Sequence, residues 1–199
     1  MKTTSLVLII ILVRLTTSMG QALDSIDHVE KSKPFKIRPF VAPMIEMTNF
    51  KESSGYSLGA FVGTIINENW QAGGFIQTYN GDFNKRVIFP NSFVLDYSYR
   101  GVFVDYSVFK TEHLSVLTGL KVASGEASWS LTQTLEIFDT DNFIALNPNI
   151  GLDLKFSPVS ILNVSVGYRM FYGLDLPELR SSEINNVYVD AKIKIGWFK

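Results

Sequence analysis

Cysteine is absent from the 199 residues of this chain, which excludes disulfides, thiolate zinc sites and a lipid-modified N-terminal cysteine. Histidine occurs only at His28 and His113, and the sequence has neither H-x-x-x-H spacing nor a GxGxxG before a helix. Basic residues form no stripe and the formal net charge is −1, so we expect no nucleic-acid partner. We therefore expect no catalytic site, no cofactor and no metal.

Long apolar runs are also missing, with one short exception at the N-terminus. Lys2 precedes an apolar run at residues 6–13, and Gly20 and Ala22 occupy the −3 and −1 positions of a cleavage site. A run of this length is too short to cross about 30 Å of hydrocarbon, which favours a cleaved signal peptide over a membrane anchor. The pattern predicts a signal peptide at 1–22, a short N-terminal tail at 23–35 and one β domain at 36–199.

Alternation of apolar and polar residues dominates the rest of the chain. Val, Ile, Tyr and Phe are frequent in the alternating segments, and clusters of Gly, Asn, Asp and Ser separate them. We predict eight strands, at residues 36–48, 56–66, 70–80, 93–108, 114–129, 142–156, 161–173 and 186–198. The gaps between them alternate between long and short, which is typical of tight turns at one barrel end. The predicted fold is an all-β, eight-stranded antiparallel up-and-down transmembrane β-barrel.

Two environments are compatible with this alternation, because a soluble barrel hides its apolar face whereas a membrane barrel exposes it. The apolar set has large side chains, and the polar set is rich in glycine, serine and alanine, which suit a narrow interior. Aromatic residues of the apolar set also fall near both barrel ends, as in the two girdles of membrane barrels. The predicted girdle residues are Trp70, Phe156 and Trp197 at the short-turn end and Tyr56 and Tyr172 beside the long loops. Both features favour the membrane barrel.

The stretch FVAPMIEMTNFKESSGYSLGAFVGTIINENWQAGGF, residues 40–75, has the glycine spacing and the turn of opening barrel hairpins. With it, the chain resembles small eight-stranded bacterial outer-membrane barrels of the OmpX/OmpA type and is similar to barrels from Bacteroidota. The resemblance implies an outer-membrane location, both termini in the periplasm and a C-terminal aromatic residue that the assembly machinery reads. Phe198 is followed by Lys199, which departs from that pattern.

Three prolines fall inside predicted strands, where they cannot donate to a hydrogen-bond ladder. Pro39 and Pro43 share one parity, so both missing N–H groups would point at the same neighbour of the first strand. We expect weakened pairing with either the second strand or the last strand, across the closing seam. Pro148 raises the same objection in the sixth strand. An open-edged soluble sheet is the alternative that these prolines leave open.

Charged residues of the polar set are predicted to point into the barrel, where buried charges must be paired. They are Lys36, Arg38, Glu46, Asp96, Arg100, Lys121, Asp153, Lys155, Arg169, Asp190, Lys192 and Lys194. We interpret them as paired structural filler, with a proton relay or a small pore as the alternative. A register centred on the 174–185 loop places Arg169 opposite Asp190 as a structural lock. Asp105 and Glu126 fall in the outward set and break the pattern.

The long loops at 81–92, 130–141 and 174–185 carry Ile, Phe and Leu, which either contact an extracellular partner or pack on each other. We expect a monomeric outer-membrane protein, exported and surrounded by outer-membrane lipid, with an envelope-structural or surface-interaction role. The alternatives are a narrow channel and a soluble periplasmic barrel that binds an apolar ligand. A lipid-modifying enzyme is disfavoured, because both histidines would face the periplasm rather than the outer rim.

Overall fold

The computed structural model describes residues 36–50, 53–80, 86–88, 91–131, 137–176, 179–181 and 184–198. The eight long strands are β1 (Ile37–Phe50), β2 (Ser53–Ile66), β3 (Trp70–Asn80), β5 (Asn91–Lys110), β6 (Leu114–Leu131), β7 (Ile137–Ser157), β8 (Ser160–Tyr172) and β11 (Asn186–Gly196). The short strands are β4 (Arg86–Ile88), β9 (Asp175–Leu176) and β10 (Leu179–Arg180). The predicted signal peptide at 1–22 and tail at 23–35 lie outside the described residues.

The eight long strands close into an antiparallel barrel. Each pairs with the next long strand, β3 pairs with β5 past the short β4, and β1 pairs with β11 across the seam. The predicted fold is therefore confirmed. Following the register once round the wall from Gly196 leads back to Asn186, ten residues along the same strand. A stagger of this kind tilts the strands and allows a narrow barrel to close.

Three adjacent strands are longer than predicted. β5, β6 and β7 have 20, 18 and 21 residues, and their extra length extends one side of the wall at the end opposite the short turns. The predicted loop at 130–141 is consequently mostly strand, and the predicted gap at 49–55 shrinks to the two residues between β1 and β2. The extension is stabilised by burial, since Leu95 and Trp129 point inward and are 0% exposed. The extended parts of the three strands are rich in Ser and Asp, so their sequence alone does not predict that they continue as strands.

The prolines interrupt the ladders without opening the barrel. Pro39 and Pro43 keep their register with β2, opposite Thr64 and Ala60. The register between β1 and β11 is interrupted at Pro43 and its neighbour Ala42, and it resumes on both sides. The weakened pairing therefore lies at the closing seam, one of the two expected places. The alternative of an open-edged sheet is therefore wrong, because β1 and β11 pair and close the barrel.

The polarity of the wall is the reverse of that in a soluble barrel. Along β11 the exposed residues are Val187, Val189, Ile193 and Ile195, and they alternate with the buried residues Tyr188, Asp190, Lys192 and Lys194. Such alternation places one set of side chains on each face of the sheet. Among the described residues, no helix has the length and apolar character that a membrane span requires.

The turn between β2 and β3 combines a left-handed backbone with a carboxylate that three cations surround. Asn67 and Glu68 have φ angles of 47° and 70°, in the left-handed region that suits a tight hairpin. The Glu68 carboxylate lies 3.1 Å from Arg38, 3.4 Å from Lys110 and 3.5 Å from Lys36. These cations, Lys110 most of all, lower the pKa of Glu68. The turn therefore holds the first hairpin and the β5–β6 turn together at one barrel end.

Candidate functional site

The described interior contains four buried cations and four buried anions, all at most 8% exposed. They are Lys121, Arg169, Lys192, Lys194, Glu46, Asp105, Asp153 and Asp190. Seven of the twelve charges predicted from the sequence to lie inside the barrel are in this set: Glu46, Lys121, Asp153, Arg169, Asp190, Lys192 and Lys194. Of the other five, Lys36 and Arg100 are exposed, and Arg38, Asp96 and Lys155 are half-buried. Equal numbers of opposite charges allow each buried charge to be compensated by one of opposite sign, as burial of a charge requires.

Arg169 binds Glu46. The Arg169 Nη2 atom lies 2.6 Å from both carboxylate oxygens of Glu46, and Nη1 donates to the Tyr97 hydroxyl at 3.2 Å. The guanidinium also lies 4.9 Å from the ring centroid of Tyr188 and 5.1 Å from that of Tyr99. Charge-assisted hydrogen bonds and cation–π contacts therefore offset the cost of burying this arginine.

The predicted pairing of Arg169 with Asp190 is wrong. Asp190 lies opposite Ser165, and Arg169 lies opposite Asn186. The difference of four residues arises because the end of β8, up to Tyr172, pairs with β7 after its pairing with β11 has ended. The connection is therefore asymmetric about its centre, contrary to the assumption that placed Arg169 opposite Asp190.

Asp190 is instead the acceptor for three other groups. The Lys121 Nζ atom lies 2.7 Å from one of its carboxylate oxygens, and Lys192 Nζ lies 3.0 Å from the other. The Ser165 hydroxyl donates to the same carboxylate at 2.6 Å. Lys121 and Lys192 also approach the ring of Phe61, at 5.5 and 4.7 Å from its centroid. One carboxylate thus holds two lysines against an aromatic surface.

Asp153 organises the interior nearer the short turns. Lys194 Nζ lies 2.8 Å from both carboxylate oxygens of Asp153 and 2.6 Å from Gln71 Oε1. The side-chain amides of Gln71 and Asn163 donate to Asp153 at 3.0 and 2.7 Å. All four side chains belong to one hydrogen-bonded network, in which the Asn163 Oδ1 atom alone has no partner, so Asp153 and Lys194 are stabilised at their positions.

Arg100 and Asp105 exchange their predicted places. Arg100 is exposed on the outer wall, so its prediction as a lumen charge is wrong, and Asp105 is an inward residue at 8% exposure. Both faces of β5 carry aromatic or apolar residues, and its inward face is filled by Tyr97, Tyr99 and Phe103. Because Arg100 is polar, the alternation pattern predicts it on the inward face of β5, which is the wrong face. The small Gly119 opposite Asp105 was a usable signal, because a side chain there would overlap the carboxylate.

Aromatic side chains fill the interior beyond the charges. Tyr97 stacks on Tyr79 at 4.7 Å and meets Phe171 edge-on at 5.8 Å, and Phe143 packs on Phe171 at 5.0 Å. The apolar residues of the predicted 174–185 loop, Leu174, Leu176 and Ile184, are at most 4% exposed and belong to the same cluster. Their side chains therefore pack on the barrel interior, away from solvent.

The predicted girdle residues lie on the outer wall. At the short-turn end, Trp70, Phe156 and Trp197 are 50%, 70% and 73% exposed, and Trp70 packs on Tyr106 at 4.8 Å. Tyr56 and Tyr172, at the opposite end, are 47% and 49% exposed. Large aromatic surfaces are thus displayed at both ends of the apolar wall.

Candidate ligands for a metal do not converge in the part of the chain that the structure describes, where no group of three His, Cys, Asp or Glu side chains comes together. His113 lines a cavity of about 230 Å³ at the short-turn end, with Lys110, Glu112 and Lys155 among its neighbours. Lys155 is bound there to the backbone carbonyl of Phe198 at 2.8 Å. We interpret this cavity as a place where the charges of Lys110, Glu112 and Lys155 stabilise one another.

Comparison of three-dimensional structures identifies the class of barrel. The crystal structure of Neisserial surface protein A is similar over 82% of this chain and 99% of its own, with a TM-score of 0.55 and 16% identity. The fold is that of a small outer-membrane β-barrel. The attachment invasion locus protein Ail of Yersinia pestis aligns over 81% of this chain and 96% of its own, with a TM-score of 0.44 and 14% identity. No protein-family model and no curated protein sequence matches the chain.

Proposed function

We propose that this chain is an integral protein of the bacterial outer membrane, exported through a cleaved signal peptide, monomeric and non-enzymatic. The observation that carries the proposal is the reversed polarity of a closed barrel. Ile76, Val102 and Ile150 on the outer wall are at least 60% exposed, whereas eight charged residues are buried inside. A continuous apolar wall is unfavourable in water and favourable in hydrocarbon.

The aromatic residues support a definite position in the bilayer. Trp70, Phe156 and Trp197 at one end and Tyr56 and Tyr172 at the other are exposed, as residues of two interfacial girdles would be. The apolar rows between them then lie in the hydrocarbon. In this arrangement the short turns and both ends of the barrel domain face the periplasm.

The filled interior supports a structural role in preference to a channel or a carrier of apolar ligands. Charged groups such as Arg169, Lys121 and Lys194 are bound to carboxylates, and aromatic side chains occupy the space beyond them. An apolar ligand would meet buried charges, and ions would have to displace packed side chains. In planar bilayers we expect no steady conductance, and a reproducible unitary current would support the channel instead.

The extended side of the wall supports a role at the cell surface. β5, β6 and β7 continue past the apolar rows and end at the long-connection end, where the proposed orientation exposes them outside the cell. Their outward residues there include the polar Ser98, Glu126 and Asn142. We propose that this polar extension contacts surface polysaccharide or an extracellular partner.

Membrane fractionation tests the proposal directly. The wild-type protein should appear in the outer-membrane fraction, require detergent for extraction and migrate faster in gels before boiling than after it. Leu152→Arg, which puts a charge on the outer wall, should reduce membrane assembly, whereas Leu152→Met should not. A protein that stays soluble without detergent would contradict the membrane location.

A further inference from the structure

The outer wall changes from apolar to polar at one row of residues. This row runs across five strands as Ile76, Arg100, Ser124, Ile144 and Tyr172. The row on its short-turn side is apolar, with Gly74, Val102, Val122, Leu146 and Met170. The row on its other side is polar, with Thr78, Ser98, Glu126 and Asn142. Because the strands are tilted, such a row does not lie at one depth, and the position of Arg100 follows from its own strand: outward from the apolar Val102 and next to the polar Ser98 on β5. In the proposed membrane orientation, this is where the hydrocarbon-facing part of β5 ends.

A depression in the apolar wall leads to this arginine. Small residues at Pro43, Ala60 and Gly74 form its floor, and Val62 and Val102, both at least 60% exposed, lie beside it. The groove has a volume of about 790 Å³, and Arg100 lines one end of it. Even a methyl group added at Gly74 would have its nearest neighbour at 3.6 Å, so the floor is open.

A second cavity, lined by both polar and apolar residues, begins at the same arginine. It measures about 830 Å³, and Arg100 and Ile76 line both spaces. The hydroxyl-bearing residues Thr78, Ser98 and Ser124 also line this second cavity. Within the described residues the Arg100 guanidinium has no ion pair, although Glu126 lines the cavity too.

We propose that the two spaces form one binding site for an anionic, phosphate-bearing lipid of the outer leaflet. The lipid's acyl chain lies in the apolar groove, and its phosphate accepts hydrogen bonds from Arg100 and the neighbouring hydroxyls. Charge complementarity selects an anionic headgroup, because an unpaired guanidinium at the headgroup level has phosphate as its matching partner. The inference rests on the proposed membrane location and adds a specific lipid site to it.

Glu126, which also lines the second cavity, allows a further test of the proposal. Glu126 lies diagonally across from Arg100, since Ser98 faces Glu126 and Arg100 faces Ser124. Its negative charge opposes the binding of a phosphate. Removing that charge should therefore strengthen lipid binding, while removing the charge of Arg100 should weaken it.

Native mass spectrometry of the full chain tests the site. The protein is released from mixed micelles with equal parts of dioleoyl-phosphatidylglycerol and dioleoyl-phosphatidylcholine, which share acyl chains and differ in net charge. The wild type should retain one phosphatidylglycerol in preference, and Arg100→Gln should reduce that preference about tenfold, as the loss of a charged hydrogen bond predicts. Glu126→Gln should increase it, and Ala60→Leu, which fills the groove, should reduce retention of both lipids.

Lys110→Gln is the matched control, because Lys110 is an exposed cation at the short-turn end. It should leave the preference unchanged. Equal retention of the two lipids by the wild type, or equal losses in Arg100→Gln and Lys110→Gln, would overturn the site. Either result leaves the membrane location standing, whereas a wild-type protein that needs no detergent overturns the location itself.

Discussion

Arg169 of β8 and Glu46 of β1 are joined inside the barrel across the intervening strand β11. Their side chains are 123 positions apart in the sequence, and neither exposes any surface. The bond crosses the closing seam between β1 and β11 at Glu46, where the register from Met44 to Thr48 is continuous. The ion pair therefore links β1 to β8 directly, in addition to the backbone ladders that each strand forms with β11.

Removing one partner of this pair should be costly. Glu46→Ala leaves a buried guanidinium without its carboxylate and should lower the free energy of unfolding by about 3–5 kcal/mol. The double variant Glu46→Leu with Arg169→Met removes both charges and should recover much of that loss. Urea unfolding in lipid vesicles, followed by tryptophan fluorescence and the heat-dependent gel shift, measures both changes.

A double-mutant cycle separates this pairing from the one that the sequence suggested. The coupling energy between Arg169 and Glu46 should exceed that between Arg169 and Asp190, since Asp190 is bound to Lys121 and Lys192. The opposite order would support the register in which Arg169 faces Asp190.

The two faces of β7 should respond differently to the same charge. Leu152→Arg places a cation on the outer wall and should cost about 2–4 kcal/mol if that wall meets hydrocarbon. Asn149, at 7% exposure, points inward, so Asn149→Arg should act through crowding alone. Unfolding in vesicles compared with unfolding in a zwitterionic detergent distinguishes the causes, because only the Leu152 variant should depend on the bilayer. Small and equal effects at both sites would argue against a lipid-facing wall.

Much of the fold could be predicted from the sequence because the period of alternation is local information. The eight strands, their order and the inward set on β7, β8 and β11 follow from residues two positions apart. The assignment failed on β5, where aromatic residues occupy the lumen and Arg100 the outer wall. Polarity alone is a poor guide to the face when an interior combines charges with tyrosine and phenylalanine.

The partners inside the barrel could not be predicted for a different physical reason. Which lumen charges meet depends on the register between strands, and register depends on where each ladder ends. The pairing of Arg169 with Asp190 failed because β8 continues past its last pair with β11. Glu46 lies two strands away from Arg169 in the wall and far from it in sequence, so no local pattern indicated their contact.

Glycines in the wall should differ in their tolerance of a methyl group. At Gly167 an added Cβ would overlap the ring of Tyr188, its neighbour across the ladder, so Gly167→Ala should cost about 1–3 kcal/mol through overpacking. At Gly74, on the outer wall, the nearest atom lies 3.6 Å away, so Gly74→Ala should be neutral or slightly stabilising. Urea midpoints measured side by side test the contrast. Equal loss at both positions would contradict the packing of Tyr188 on Gly167.

The absence of cysteine makes the orientation in the membrane directly measurable, because any introduced thiol is unique. Asp175 lies in β9 at the long-connection end, and Val159 lies in the short turn between β7 and β8; both are exposed. On intact cells a membrane-impermeant maleimide should label Asp175→Cys and leave Val159→Cys unmodified. After lysis both should react, which controls for accessibility. Labelling of Val159→Cys alone on intact cells would invert the proposed topology, because the short turns would then face the outside.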